Sequence, residues 1–93
     1  MSKTSAIVRL KREETGAGAA NLQERILNAL NNGDEVVMLD ASEVTDLDGA
    51  ALQVLVAAKK SVLGRGQEIR IVDPSPYVSN VLALTKLDRD FGL

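Results

Sequence analysis

Four acidic side chains crowd into nine residues, and they are the part of this sequence best suited to chemistry: Asp40, Glu43, Asp46 and Asp48. Carboxylate oxygens are the ligands that hard divalent cations take in proteins, so a metal site is one interpretation. The spacing does not match an EF-hand loop, because Leu52 or an alanine occupies the place of its closing glutamate. We therefore predict no metal and no other cofactor.

The tetrapeptide Asp46-Leu47-Asp48-Gly49 allows two further interpretations. It resembles the Asp-x-Asp-Gly motif of haloacid-dehalogenase-like phosphatases, in which the first Asp is the nucleophile and the second the general acid. Here no clean strand precedes the motif, Ala50 replaces the usual Thr or Val, and the chain is short for that fold. The structural alternative is helix capping by Asp48 or Asp46, because an Asp at a helix start accepts backbone N–H bonds and complements the positive helix end. We predict no catalytic residues and no enzyme.

The elements that position these acids follow from the hydrophobic pattern, which predicts strand and helix in alternation. Strands are predicted at 5–10, 35–40 and 67–72, and helices at 20–32, 49–63 and 76–86. Strands separated by helices require right-handed crossovers, so the expected class is α/β with a small mixed, mostly parallel sheet. Function then collects in the loops after the strands, at residues 11–19, 41–48 and 73–76.

Local signals refine these elements. Asn21 is the predicted N-cap of the first helix, with Glu24 completing a capping box, and Asn32-Gly33 is the predicted stop. The second strand is continuously apolar, which predicts that both of its faces are covered. The final residues, Leu87 and Phe91, are expected to fold back onto the domain.

Composition limits the function further. The 93 residues form one predicted domain, 1–93, and because aromatics are only 2% its core must be aliphatic. A net charge of −2 with dispersed cations argues against a nucleic-acid partner, and the KREE segment at residues 11–14 is expected to be solvated. The absence of Cys and His excludes thiol and imidazole catalysis and Cys/His zinc sites. No apolar run reaches about 18 residues, so we predict no membrane insertion and a cytoplasmic location.

An ordered set of motifs spans residues 37–91 and resembles the STAS domain of anti-sigma factor antagonists. That family shows a strand ending in Asp-Leu-Ser, an Asp-Ser-Ser/Thr-Gly helix start, a Gly-Gly helix stop, an Asn/Asp-Pro-Ser turn and a helix ending near Thr-Gly-Leu. The counterparts here, in chain order, are residues 39–42, 46–49, 64–66, 72–76 and 84–87. Each motif alone is weak, and the ordered set is fairly specific.

The resemblance implies a role for the start of the second helix. In the antagonists, the second of the two hydroxyl residues is phosphorylated by a partner anti-sigma kinase, and phosphorylation abolishes partner binding. Asp48 is the phosphorylation-site equivalent in this chain, and a Ser/Thr kinase cannot phosphorylate a carboxylate. Its charge of about −1 imitates incompletely a phosphoserine of about −1.5 to −2. Ser42 and Thr45 are nearby hydroxyls, and neither stands at the family position.

The chain also departs from the longer antagonists. The loop at residues 14–18 lacks their Gly-x-Leu-Asp turn, and their C-terminal helix has no counterpart before Leu93. This compact form is similar to the STAS subunit of bacterial phospholipid-transport ATPases and to compact STAS proteins of bacterial signalling operons.

The predicted function is therefore a non-catalytic, regulatory protein-interaction domain that docks on an anti-sigma factor or related kinase. The alternative is an accessory subunit of a phospholipid-transport ATPase that uses the same surface on a nucleotide-binding subunit. The predicted partner contacts come from the second loop and the start of the second helix: Ser42, Thr45, Asp46, Leu47, Asp48, Gly49, Ala50, Gln53, Val54 and Ala57.

Overall fold

In the computed structural model, which describes residues 4–16 and 18–93, strands and helices alternate along the chain. The strands are β1 (Ser5–Arg9), β2 (Glu13–Glu14), β3 (Val36–Asp40), β4 (Asp46–Leu47) and β5 (Glu68–Val72). The helices are α1 (Gly18–Asn31), α2 (Gly49–Ser61) and α3 (Pro76–Thr85), and a 3₁₀ turn follows at Arg89–Phe91. The predicted order is confirmed, with two short strands added inside predicted loops.

The main sheet has the order β1-β3-β5, and a separate ribbon pairs β2 with β4. In the part of the chain that the structure describes, all of these strand pairings are parallel. The register aligns apolar side chains across the main sheet, with Val37 between Ala6 and Ile69 on one face. α1 and α2 pack on each other and over the sheet, and the resulting core is almost entirely aliphatic.

The other face of the main sheet is only partly covered. Val36 and Met38 of β3 are half-buried there, and Ile7 of β1 is 65% exposed. The prediction that both faces of the central strand are covered was therefore wrong. Buried and half-buried residues alternate along β3, so its continuous apolar run corresponds to one covered face and one partly covered face.

The helix ends show one correction and one confirmation. α1 begins at Gly18, so Asn21 lies inside the helix, where its Oδ1 accepts a bond from Arg25 Nε at 2.9 Å, and the predicted N-cap was wrong. The predicted stop is confirmed, because Gly33 adopts φ +87° and its N–H donates to Leu30 O at 3.1 Å. Phe91 is fully buried, as the predicted return of the tail requires.

The end of α3 carries a non-glycine residue in a left-handed conformation. Lys86 caps the helix with φ +59° and ψ +31°, and its N–H donates to Ala83 O and Leu82 O. Glycine is the usual residue at such a cap because it has no Cβ. The family pattern places Gly here, so Lys86 keeps the backbone shape at a steric cost.

Candidate functional site

The three loops that follow β1, β3 and β5 meet at the carboxyl edge of the sheet, as predicted. The backbone N–H groups of Thr45 and Asp46 donate to Arg12 O at 2.8 and 3.2 Å, which starts the β2–β4 ribbon. From the third loop, Ser75 Oγ donates to Val44 O at 2.6 Å and caps α3 by accepting from Val78 N. The site is thus one hydrogen-bonded unit built from segments distant in sequence.

Asp48 is the residue that joins two of these segments. It is the N-cap of α2, where its Oδ1 accepts from Ala51 N at 2.9 Å. Its other oxygen, Oδ2, accepts from Gly16 N at 2.8 Å, across a separation of 32 residues. The N–H groups of Gly16 and then Ala51 favour the ionised carboxyl and hold the pKa of Asp48 below its usual value. Of the two cap candidates in the sequence, Asp48 is the cap.

Asp46 is exposed at the start of β4, and Tyr77 hydrogen-bonds the backbone of the next residue, Leu47. Leu47 N donates to Tyr77 Oη at 3.1 Å, and the phenol O–H donates back to Leu47 O at 3.1 Å. Asp46 Oδ1 lies 3.5 Å from the same phenol oxygen, at the limit of a hydrogen bond. Sequence reasoning missed Tyr77, although a lone Tyr at the first turn of a helix that faces a functional loop is a usable signal.

The other two acids of the cluster point elsewhere. Asp40 Oδ1 accepts from Ser42 N at 3.0 Å, and this bond above all holds the pKa of Asp40 below its usual value. Arg9 Nε adds a weaker contact at 3.9 Å from Asp40 Oδ2, and Glu43 is exposed. Within residues 4–16 and 18–93, no three His, Cys, Asp or Glu side chains lie close enough together to hold a metal ion.

A buried ion pair supports the first loop. Glu14 is fully buried, and both of its oxygens accept from Arg25 Nη2, at 3.0 and 2.7 Å. Lys11 N donates to Glu14 Oε2 at 2.7 Å. The expectation that the KREE segment is solvated was therefore wrong for Glu14. It holds for Lys11, Arg12 and Glu13, which are exposed.

The predicted contact residues form a largely exposed surface, which we call the docking surface. Asp48 and Val54 are half-buried within it, and the side chain of Leu47 is buried, with 6% exposure. Leu47 therefore packs inward and anchors the turn, and the accessible part of this surface comes from its neighbours. The remaining members are all exposed: Ser42, Thr45, Asp46, Gly49, Ala50, Gln53 and Ala57.

Comparison with known proteins assigns this chain and its fold to a family. The whole chain, residues 1–93, matches the family model described as Mlab, STAS domain. The chain belongs to the STAS domain family, and its structure has the fold of the anti-sigma factor antagonists.

Individual relatives agree with this assignment. A putative anti-sigma factor antagonist from Thermotoga maritima is 38% identical over 60 residues, which are 64% of this chain and 53% of that protein. The match thus spans about half the length of that curated relative. A crystal structure of a putative anti-sigma factor antagonist from the same organism is 31% identical, with a TM-score of 0.74, covering 89% of this chain and 74% of that one.

A more distant structure shows the fold alone. Unphosphorylated SpoIIAA, an anti-sigma factor antagonist, superposes with a TM-score of 0.79 at 13% identity, covering 95% of this chain and 77% of its own.

In the described part of the chain, no helix is both long enough and apolar enough to cross a membrane.

Proposed function

We propose that this chain is a non-catalytic regulatory domain that binds an anti-sigma factor or a related kinase through the docking surface. Membership of the STAS family and the names of its relatives support this class of partner. The position of the docking surface supports it as well, because ligands of parallel α/β sheets gather at the carboxyl ends of the strands.

The observation that carries the proposal is the bridging carboxylate of Asp48. It stands where the family resemblance places a phosphorylatable hydroxyl, and its two oxygens accept from two separate segments. A serine at this position has one shorter oxygen, which suits the cap to Ala51 N and does not span to Gly16 N as well. The docking surface is therefore held in one charge state and one loop arrangement, without a phosphorylation switch at residue 48.

The charge and shape of the surface define the partner that suits it. Asp48 and the exposed Asp46 make the turn acidic, which favours a basic partner surface and disfavours an acidic one. Gly49, Ala50 and Ala57 are small and exposed, so a partner backbone can approach α2 closely.

The test begins with identification of the partner. The tagged wild-type chain is used to recover bound proteins from its native cells, and mass spectrometry identifies them. We expect an anti-sigma factor with a histidine-kinase-like ATP site. Recovery of a transporter nucleotide-binding subunit instead would replace this proposal with the phospholipid-transport alternative.

The second stage compares Asp48→Ser with the matched control Asp46→Ser. Binding is measured by calorimetry, and phosphate transfer by incorporation from labelled ATP. We expect Asp48→Ser to accept phosphate and to change affinity, whereas the wild type and Asp46→Ser accept none. If Asp48→Ser changes neither property, Asp48 is a helix cap only and the proposal fails.

A further inference from the structure

The start of α3 bonds the loop that carries the docking surface at three points. Ser75 N donates to Ala41 O at 3.0 Å, and Ser75 Oγ donates to Val44 O at 2.6 Å. The third point lies three residues further along the loop, where the hydroxyl of Tyr77 bonds the backbone of Leu47. The loop is therefore attached to α3 over residues 41–47, and Tyr77 makes the attachment nearest in sequence to the start of α2.

The backbone of Leu47 faces away from the β2–β4 ribbon, because the neighbours of Leu47 make the ribbon bonds. Asp46 N donates to Arg12 O at 3.2 Å, and Asp48 N donates to Glu14 O at 3.4 Å. The backbone groups of successive residues in a strand point to opposite sides. The N–H and C=O of Leu47 consequently point away from β2, towards the start of α3.

A single phenol hydroxyl bonds both of these outward groups. Leu47 N donates to Tyr77 Oη, and the phenol O–H donates to Leu47 O, each at 3.1 Å. Asp46 Oδ1 is further from the phenol oxygen, at 3.5 Å, so the one phenol proton goes to Leu47 O. The hydroxyl stands where a neighbouring strand would lie, and it fixes the direction of both peptide groups of Leu47.

We propose that Tyr77 is a positioning residue for the docking surface, because its hydroxyl sets the backbone conformation of the docking turn (residues 45–48). The inference rests on the proposed function, since it assigns to the binding of the same partner a residue that lies outside the predicted contacts. The two acids of the turn, Asp46 and Asp48, flank Leu47 directly, so a change in its peptide groups changes the direction in which these carboxylates meet a partner.

The packing of Tyr77 and its positioning role can be separated experimentally. Its half-buried ring packs against the hydrophobic core, and only its hydroxyl bonds the docking turn. Tyr77→Phe therefore keeps the ring and removes both bonds to Leu47. The matched control is Thr85→Val on the same helix, because the Thr85 hydroxyl bonds Val81 O and Leu82 O within α3.

Amide order parameters from NMR relaxation test the positioning role in the free protein. In Tyr77→Phe we expect the values at residues 46–48 to fall from about 0.85, typical of rigid backbone, towards about 0.6. The values in the central strand β3 should stay unchanged, and Thr85→Val should match the wild type throughout. Unchanged order parameters at residues 46–48 in Tyr77→Phe would overturn the proposal, as would an equal fall in Thr85→Val.

Calorimetry with the anti-sigma factor recovered by the tagged wild-type chain measures the consequence for binding. We expect Tyr77→Phe to bind about two- to tenfold more weakly, the range set by the net worth of one hydrogen bond, and Thr85→Val to bind as the wild type does. Unchanged affinity in Tyr77→Phe would overturn the inference and leave the proposed function intact. If the wild type itself binds no anti-sigma factor, the proposed function fails and the docking role of Tyr77 fails with it, whereas the order parameters still decide whether its hydroxyl positions the turn.

Discussion

Removal of Arg25 should destabilise this domain strongly, because Arg25 is the counter-charge of the buried Glu14 carboxylate. In Arg25→Ala, the fully buried carboxylate of Glu14 keeps only the bond from Lys11 N and loses its counter-charge. Breaking a buried ion pair on one side costs about 3–5 kcal/mol. The Arg25 side chain is 24% exposed, so water screens part of the interaction and the lower end, about 3 kcal/mol, applies. In a domain of this size, that loss lowers Tm by about 12 °C or more.

Urea unfolding followed by circular dichroism measures this loss directly. The matched control is Arg9→Ala, because Arg9 is 75% exposed and lies 3.9 Å from its partner Asp40. An ion pair this long, with its arginine exposed to water, contributes about 0–1 kcal/mol, so the control should unfold nearly as the wild type does.

A double variant separates the energy of the Glu14–Arg25 ion pair from the cost of leaving the Glu14 carboxylate buried without a counter-charge. Glu14→Met combined with Arg25→Met removes both charges and fills similar volume, so it should recover to within about 1 kcal/mol of the wild type. Two results would refute the reasoning: a cost below about 1 kcal/mol for Arg25→Ala, or a double variant no more stable than Arg25→Ala.

Two further predictions concern the backbone and pH. Lys86→Gly should raise the free energy of unfolding by about 1 kcal/mol in urea titration, because it relieves a left-handed conformation that costs a residue with a Cβ about 1–2 kcal/mol. Lys86→Ala, which keeps the Cβ, should show no such gain, and an equal gain would assign the effect to the lysine charge. Because the folded-state pKa of Asp48 is lowered, its contribution to stability is present above the unfolded value of about 3.9 and is lost as pH falls through the folded value. Unfolding free energies measured from neutral to acid pH should therefore fall less steeply below about pH 4 in Asp48→Asn, and an unchanged slope would contradict this account.

The order of the elements along the chain was predictable because it depends on long apolar runs. The parallel sheet was predictable because strands joined through helices form right-handed crossovers. β2 and β4 were not predictable in the same way. Each has only two residues, both acidic in β2 and one acidic in β4, and their pairing depends on a contact between segments about thirty residues apart. The burial of Glu14 could not be predicted for the same reason, since it depends on pairing with Arg25, which lies on α1.

At the site, sequence reasoning identified the helix start and left its cap open between Asp46 and Asp48, of which the structure selects Asp48. The second bond of Asp48, to Gly16 N, left no signal in the sequence because any non-proline residue supplies a backbone N–H. Asn21 failed as a cap for a related reason. The true start of α1 is formed by backbone bonds from Gly18 N to Thr15 O and from Ala19 N to Gly16 O, which need no capping side chain.

Tyr77 gives this protein an optical label at its docking surface. It is the only tyrosine, and the chain has no tryptophan, so near-ultraviolet absorption and emission come almost entirely from one ring. Its hydroxyl bonds the backbone of Leu47 within the turn, and the emission of a phenol depends on what its O–H contacts. Changes in the geometry of that turn are therefore readable in unlabelled protein from a single fluorescence signal.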